Sequence, residues 1–386
     1  MENFNFYNPV TILFGKGKTS EIADHIPTDA KILMTYGGGS IMQNGVYKQV
    51  KDALKGFDII EFGGIEANPL YETAMEAVKV IKKEEINFIL SVGGGSVLDA
   101  SKFIAVAVKY QGEDPWDILA KSKPVIDALP IGAVLTLPAT GSEMNGNSVI
   151  SRKSLQEKLA FGSPLVLPKF SVLDPEFTFS LPKRQVINGI IDAFVHVMEQ
   201  YLTYPINSPI QDRMAEGILL TLIEEGTKAL AFGQPNYENR ANIMWAATMA
   251  LNGLIGVGVK QDWSTHIIGH ELTAYHGIDH AITLAIVLPG LMQKMKTKRK
   301  ERLLQYASII WGLNEGSDDQ RIEKAILKTD EFFRKLGAKT LLSEHQVGKT
   351  TIQNIKERFE KRGMKAIGGQ QDINLQEMVE ILESRL

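Results

Sequence analysis

The sequence predicts two domains of different class. Residues 1–181 read as an α/β domain with a parallel, Rossmann-like sheet, and residues 182–386 as an all-α helical bundle. Three observations carry this. In the first half, short β-rich runs alternate with segments of helical period. Two of those runs end in the same tetrapeptide, Gly-Gly-Gly-Ser, at 37–40 and at 93–96, and a helical pattern starts there each time. Beyond about residue 182 strand-like runs nearly vanish and long helix-period segments take over. A chain of 386 residues is also too long for one ordinary core.

The elements follow in order. Residues 9–14 are strand-like and offer an edge at which two copies could pair into a homodimer. Lys31–Tyr36 reads as a buried strand and Asp58–Phe62 as another. Leu70–Lys83 reads as an amphipathic helix with Ala74, Ala77, Val78 and Ile81 on one face. Ile86–Val92 is the clearest strand, and Ile131–Leu137 the next. Strand, helix, strand, helix implies parallel pairing with right-handed crossovers. A polar loop follows at 138–147, leading into a hairpin of Ser148–Ile150 with Lys158–Phe161. Helical segments are expected at 183–203, 208–231, 238–256, 262–275, 282–294, 299–311, 320–336, 346–361 and 374–385.

The two glycine-serine junctions point to a nucleotide. Glycine lets backbone approach a phosphate, and a helix N-terminus offers unpaired N–H groups. Open α/β sheets bind ligands beyond the carboxyl ends of their strands, where both junctions lie. Neither matches Gly-x-Gly-x-x-Gly, so the standard dinucleotide fingerprint is absent. The plainer alternative is a pair of tight turns before capped helices. For one junction alone the two readings weigh equally. The loop Thr140-Gly-Ser142-Glu143, with Asn145 and Asn147, adds hydroxyls and amides suited to a phosphate or ribose.

Composition narrows the classes. A 44% apolar and 23% charged chain is that of a globular protein. The net charge of −3 implies no general attraction to polyanions. The basic run Lys294–Lys300 has no interleaved aromatic residues, so it reads as a solvated face rather than a nucleic-acid patch. With no cysteine, disulfides, thiolate metal sites and thiol catalysis are excluded. No apolar run reaches the roughly 20 residues of a membrane span, and the N-terminus lacks a signal-peptide pattern. The expected location is the cytoplasm.

Four of the seven histidines crowd into His266–His280, which makes a divalent metal the simplest reading. Asp192 and His196 lie four apart on a predicted helix, with Glu199 on the same face. A lone histidine is usually a satisfied core or surface residue, and for Asp192 with His196 alone that reading would win. The cluster turns the balance toward metal. Spacing leaves open which of His266, His270, His276 and His280 would bind. A nitrogen and oxygen donor set suits Fe²⁺, Zn²⁺ and related ions without choosing among them.

At this point the sequence resembles the iron-containing (group III) alcohol dehydrogenases. Within them it is most similar to the butanol dehydrogenases and broad-range NADPH-dependent aldehyde reductases. The resemblance covers essentially the whole chain. It rests on Phe6–Gly15, Gly93-Gly-Gly-Ser96-x-x-Asp99-x-x-Lys102, Thr140-Gly-Ser-Glu143, Asp174-Pro175, Asp192-x-x-x-His196, His266-x-x-x-His270 and His280-Ala-Ile.

It implies a dehydroquinate synthase-like two-domain fold and a metal-dependent oxidoreductase. The expected reaction is hydride transfer between NADP(H) and small aliphatic alcohols or aldehydes such as butanol and butanal. The implied metal ligands, for Fe²⁺ or Zn²⁺, are Asp192, His196, His266 and His280. His270 falls on a histidine beside the nicotinamide, a candidate in proton relay. The implied cofactor contacts are Gly38, Gly39, Ser40, Asn68, Gly94, Gly95, Ser96, Asp99, Thr136, Thr140, Ser142, Asn147 and Lys158.

Many members carry an acidic residue where this chain has Gly38. A carboxylate there would hold the ribose hydroxyls and repel a 2′-phosphate, so its absence implies NADP(H) over NAD(H). The rival enzyme class is a dehydroquinate synthase-like lyase or a polyol or polyol-phosphate dehydrogenase. Such a site needs cations for an anionic substrate. Around 192–203 and 260–283 only Lys260 is basic apart from histidine. A nucleotide- or metal-binding sensor is the non-enzyme rival, and it would need no nicotinamide loop.

Overall fold

Alternating side chains explain the sheet of the first half. In the computed structural model, which describes residues 1–231 and 233–386, the elements run as follows. Strand β1 (Thr11–Phe14) precedes β2 (Lys31–Tyr36), helices α1 (Ser40–Gln43) and α2 (Val46–Ala53), β3 (Asp58–Phe62) and α3 (Tyr71–Glu84). Then come β4 (Phe88–Gly94), α4 (Gly95–Ala107), α5 (Asp117–Ala120), β5 (Ile131–Leu137), the hairpin β6 (Asn147–Arg152) and β7 (Glu157–Gly162), and β8 (Phe170–Leu173).

Among the described residues one six-stranded sheet forms in the order β1-β8-β5-β4-β2-β3. All of its neighbours pair in parallel. Ile32, Met34, Phe88, Leu90 and Val92 enter one core with Val46 and Val50 of α2. The intervening Leu33 and Ile89 enter the opposite core, with Ala77 and Ile81 of α3 and Phe103 of α4. Both faces are therefore covered, which is why the central strands read as continuous apolar runs. The predicted parallel α/β class holds. Strand β4 runs two residues further than its apolar stretch, through Gly93 and Gly94, with a register shift there against β5.

The second half forms α6 (Lys183–Tyr201), α7 (Pro209–Ala231), α8 (Tyr237–Ala250), α9 (Ser264–His276), α10 (His280–Lys294), α11 (Lys300–Trp311), α12 (Asp318–Leu336), α13 (Lys349–Lys361) and α14 (Leu375–Glu383). Two details differ from the sequence reading. The helix expected over 238–256 stops at Ala250, and Gly253 turns the chain at a φ of 91°. The helical half also holds a two-residue antiparallel pair, β9 (Ala366–Ile367) with β10 (Ile373–Asn374), too short to show a period of two. Its buried Ile367 and Ile373 join a core with Ile268, Leu272, Ile286 and Phe359.

The chain divides into two compact units. One comprises Tyr7–Pro182 with Gln234–Thr248, and the other Met1–Phe6 with Lys183–Gly233 and Met249–Leu386. The sequence reading cut the chain once, at 181/182. The extra crossing has an apolar cause: Met244 of α8 packs with Leu135 of β5 and Leu173 of β8. Among the described residues no helix is long and apolar enough to cross a membrane.

Candidate metal centre and cofactor loops

Helix α6 places Asp192 and His196 one turn apart, both buried. Helix α9 brings His266 in its first turn, and α10 begins at His280. The link between these two helices is short. Gly277 closes α9 in a left-handed conformation at φ 66°, and Asp279 precedes His280. Asp279 is held from α6 by Arg184 at 3.0 Å and by the Asn188 Nδ2 donor at 2.8 Å. The helix that carries Asp192 thus also fixes where His280 starts.

The result is a convergent donor set. Asp192 Oδ1 lies 3.7 Å from His196 Nε2, 3.9 Å from His266 Nε2 and 3.6 Å from His280 Nε2. These separations are too long for hydrogen bonds. Donor atoms around a tetrahedral ion with bonds near 2.1 Å lie roughly 3.4 Å apart, close to what is seen. Asp192 Oδ1 is buried and has no hydrogen-bond partner among the described residues. Asp192, His196 and His266 form a buried trio whose donor atoms all lie within 4.8 Å of one another. His280, less buried, stands beside them. These residues could hold a divalent cation through nitrogen and oxygen donors.

The other histidines separate. The His270 ring centroid lies 5.1 Å from that of His280 and 6.1 Å from that of His266, beside the cluster. His276 points to α13, where Nε2 meets Thr351 Oγ1 at 2.9 Å. Burial lowers its pKa. Glu199, which spacing allowed as a ligand, is instead engaged by α9. It accepts from Thr265 N at 2.5 Å and His266 N at 3.3 Å, and it meets His266 Nδ1. Burial, then the nearby Asp262 charge, raises its pKa. Trp263 adopts a left-handed φ of 70° before α9 and lays its ring against His266.

The cofactor candidates belong to the other unit. In the sheet order β2 has β3 on one side and β4 on the other. Successive connections therefore leave in opposite directions at β2/β4, the place where open α/β sheets bind ligands. Gly38, Gly39 and Ser40 follow β2, while Gly95 and Ser96 open α4 after Gly94 of β4. Around Gly38 a Cβ would meet nothing within 4 Å, and Gly39 has a φ of 93°. At Gly95 a Cβ would fall 2.5 Å from Thr140 Oγ1, so only glycine lets the third loop come this close. Ser96 Oγ donates to Ala67 O, next to Asn68, and Lys158 Nζ donates to Asn68 Oδ1 at 3.0 Å. Thr136 lies on β5 just before the third loop.

Asp99 and Ser142 turned out to serve a buried network. Ser142 Oγ donates to Asp99 Oδ1 at 2.8 Å, and Val149 N donates to Asp99 Oδ2 at 3.0 Å. At its centre is Lys102, which is fully buried and which the sequence reading quoted in a motif without assigning a role. Its ammonium donates to the carbonyls of Ser142 at 2.7 Å, Asn145 at 2.9 Å and Asn147 at 2.9 Å. One cation thus ties down the whole loop from Ser142 to Asn147. Burial lowers Lys102 to about 8 and raises Asp99. A lysine three residues after an aspartate on an otherwise apolar helix was the available signal.

Comparison with known proteins agrees along the whole chain. The model of the iron-containing alcohol dehydrogenases matches residues 9–175, and that of the C-terminal part of the same family matches residues 186–386. The chain is 55% identical over 377 residues to the NADPH-dependent aldehyde reductase YqhD of Escherichia coli, covering 97% of each chain. It is 37% identical to the NADH-dependent butanol dehydrogenase A of Clostridium acetobutylicum, covering 99% of each. A crystal structure of Escherichia coli K-12 YqhD superposes with a TM-score of 0.98 at 54% identity, covering 100% of this chain and 99% of that one. Butanol dehydrogenase A of Thermotoga maritima gives 0.94 at 37% identity, with 100% and 99% covered. The chain belongs to the iron-containing alcohol dehydrogenase family, and it is an oxidoreductase that interconverts alcohols and aldehydes.

Proposed function

We propose that this protein is an NADP(H)-dependent reductase of small aliphatic aldehydes that uses a divalent cation. The observation that carries the reading is the convergence of His196, His266 and His280 on the buried Asp192 Oδ1. When bound, the cation supplies Lewis-acid polarisation of the substrate oxygen, and the nicotinamide supplies the hydride. Asp192, His196, His266 and His280 would hold the cation. His270, beside His280, accepts and returns the proton that the substrate oxygen exchanges. Around 192–203 and 260–283 the sequence offers only Lys260 as a cation apart from histidine, which favours neutral aldehydes over anionic substrates.

NADP(H) is preferred because Gly38, Gly39 and Ser40 offer N–H and hydroxyl donors with no carboxylate to repel a 2′-phosphate. The relative at 55% identity is named for NADPH, whereas the butanol dehydrogenases are named for NADH. Among the family's metals Fe²⁺ is the first choice, with Zn²⁺ next. The working unit is a homodimer built on the free edge of β1.

The test is the loss of NADPH absorbance with butanal, with and without chelator and with Fe²⁺ or Zn²⁺ restored. His280→Ala should lose both bound metal and turnover. Full activity in a metal-free His280→Ala protein would sink the reading.

A further inference from the structure

We infer that Glu199 is a positioning residue that sets the tautomer of His266 and thereby its capacity to bind a cation; this rests on the ligand set proposed above. The carboxylate receives three N–H groups from one helix start. Thr265 N donates to Oε1 at 2.5 Å, while His266 N, at 3.3 Å, and the His266 ring Nδ1 meet Oε2. Both oxygens already accept backbone N–H groups, Oε1 from Thr265 and Oε2 from His266, so the ring is matched to them as a third donor with its proton on Nδ1. The imidazole lone pair is then at Nε2, the nitrogen that faces Asp192 Oδ1 at 3.9 Å.

The arrangement is held from behind. Asp262 N donates to the Glu199 carbonyl at 2.9 Å, and the Arg299 guanidinium grips Asp262 at 2.7 Å. Ser264 Oγ donates to Asp262 Oδ1 at 2.5 Å, and Gly369 N donates to Asp262 O at 2.7 Å. These contacts over-determine the turn in which Trp263 takes its left-handed backbone. Glu199 and the start of α9 therefore move as one piece.

A glutamine at 199 would keep the size and lose the acceptor. With its oxygen kept on Thr265 N, at the Oε1 position, its NH₂ would stand against His266 Nδ1. The ring would answer by moving its proton to Nε2, the wrong side for a ligand. Outer carboxylates of this kind contribute roughly 10- to 100-fold to metal affinity.

The experiment uses the full chain and Zn²⁺ alone. Glu199→Gln should weaken Zn²⁺ binding, read by competition with a chelating dye, by roughly 10- to 100-fold. Imidazole ¹⁵N spectra of the metal-free proteins should show His266 with Nδ1–H in the wild type and Nε2–H in the variant. Wild-type Zn²⁺ affinity in Glu199→Gln, or Nε2–H on His266 in the metal-free wild type, overturns the inference. The second measurement decides even where the variant does not fold. Asp192→Ala separates the two readings: if it too binds Zn²⁺ like the wild type, the ligand set itself is wrong.

Discussion

Gly38 and Glu143 show how single positions carry opposite kinds of information. Gly38 has open space where a Cβ would stand, so Gly38→Asp should fold unchanged. Its charge would repel a 2′-phosphate, shifting the NADPH to NADH ratio of kcat/KM against NADPH on the order of tenfold or more; an unchanged ratio would refute the 2′-phosphate argument. Glu143 has no such freedom. It is fully buried, with Thr248 Oγ1 donating to Oε1 at 2.5 Å and no hydrogen-bond partner for Oε2 among the described residues. Burial raises its pKa above the ordinary 4.5. The folded chain therefore keeps a proton that the unfolded chain releases above about pH 4.5, and the stability due to this group declines as pH rises through that window. In Glu143→Gln the urea-unfolding free energy should fall less steeply with pH above that point. Equal slopes would mean that burial does not perturb the carboxyl.

At the scale of elements, function sits where a regular element ends. The loops after β2, β4 and β5 carry the cofactor candidates, and the third is shaped by one lysine from α4. Lys102→Met would leave three buried carbonyl groups without their donor, at a cost on the order of 2 kcal/mol. The loop would loosen, and NADPH binding should weaken by roughly tenfold or more while Zn²⁺ binding stays unchanged. Calorimetric titration giving wild-type NADPH affinity would show that the loop holds without its anchor. The basic run Lys294–Lys300, which reads from sequence as a solvated face, is an ion-paired seam. Lys294 meets Glu380, Lys296 meets Glu323, Lys298 meets Glu377, Arg299 meets Asp262 and Lys300 meets Asp318. Apart from the buried Arg299 pair, such contacts are exposed and contribute little each.

At the scale of the whole molecule the proposed homodimer depends on β1, which among the described residues pairs only with β8. Thr11 N and Gly15 N donate inward to Lys169 O and Leu173 O of the neighbouring chain segment, so the alternating Ile12 N–H faces outward. Phe14 and the partly exposed Trp245 meet edge to face nearby, with ring centroids 5.9 Å apart. An unpaired edge with apolar residues beside it is a template for a second copy. Ile12→Pro removes the outward N–H, together with a partly buried side chain packed against Leu135, Leu173 and Met244. It should sediment as a monomer with its helical circular dichroism intact. A variant that still sediments as a dimer would place the subunit contact elsewhere.

The sequence by itself determined the fold class, the strand–glycine–helix junctions and the residue types of the candidate metal site. Those properties are local. Strand and helix periods, the need of Gly39 for a left-handed backbone, and a four-residue spacing such as Asp192 to His196 are all written within one turn or one strand. The ligand set, which family resemblance had already implied, and the rest take their geometry from the tertiary structure. It drew His196, His266 and His280 around Asp192, sent His276 to Thr351, and set Glu199 against the ring of His266. It buried Lys102 among carbonyls some 40 residues away, paired β1 with β8 and moved α8 into the sheet unit. Each of these depends on which distant side chains share a few ångströms of buried space, where an unpaired polar atom is costly and an apolar one such as Met244 is drawn in. No local pattern records that distance.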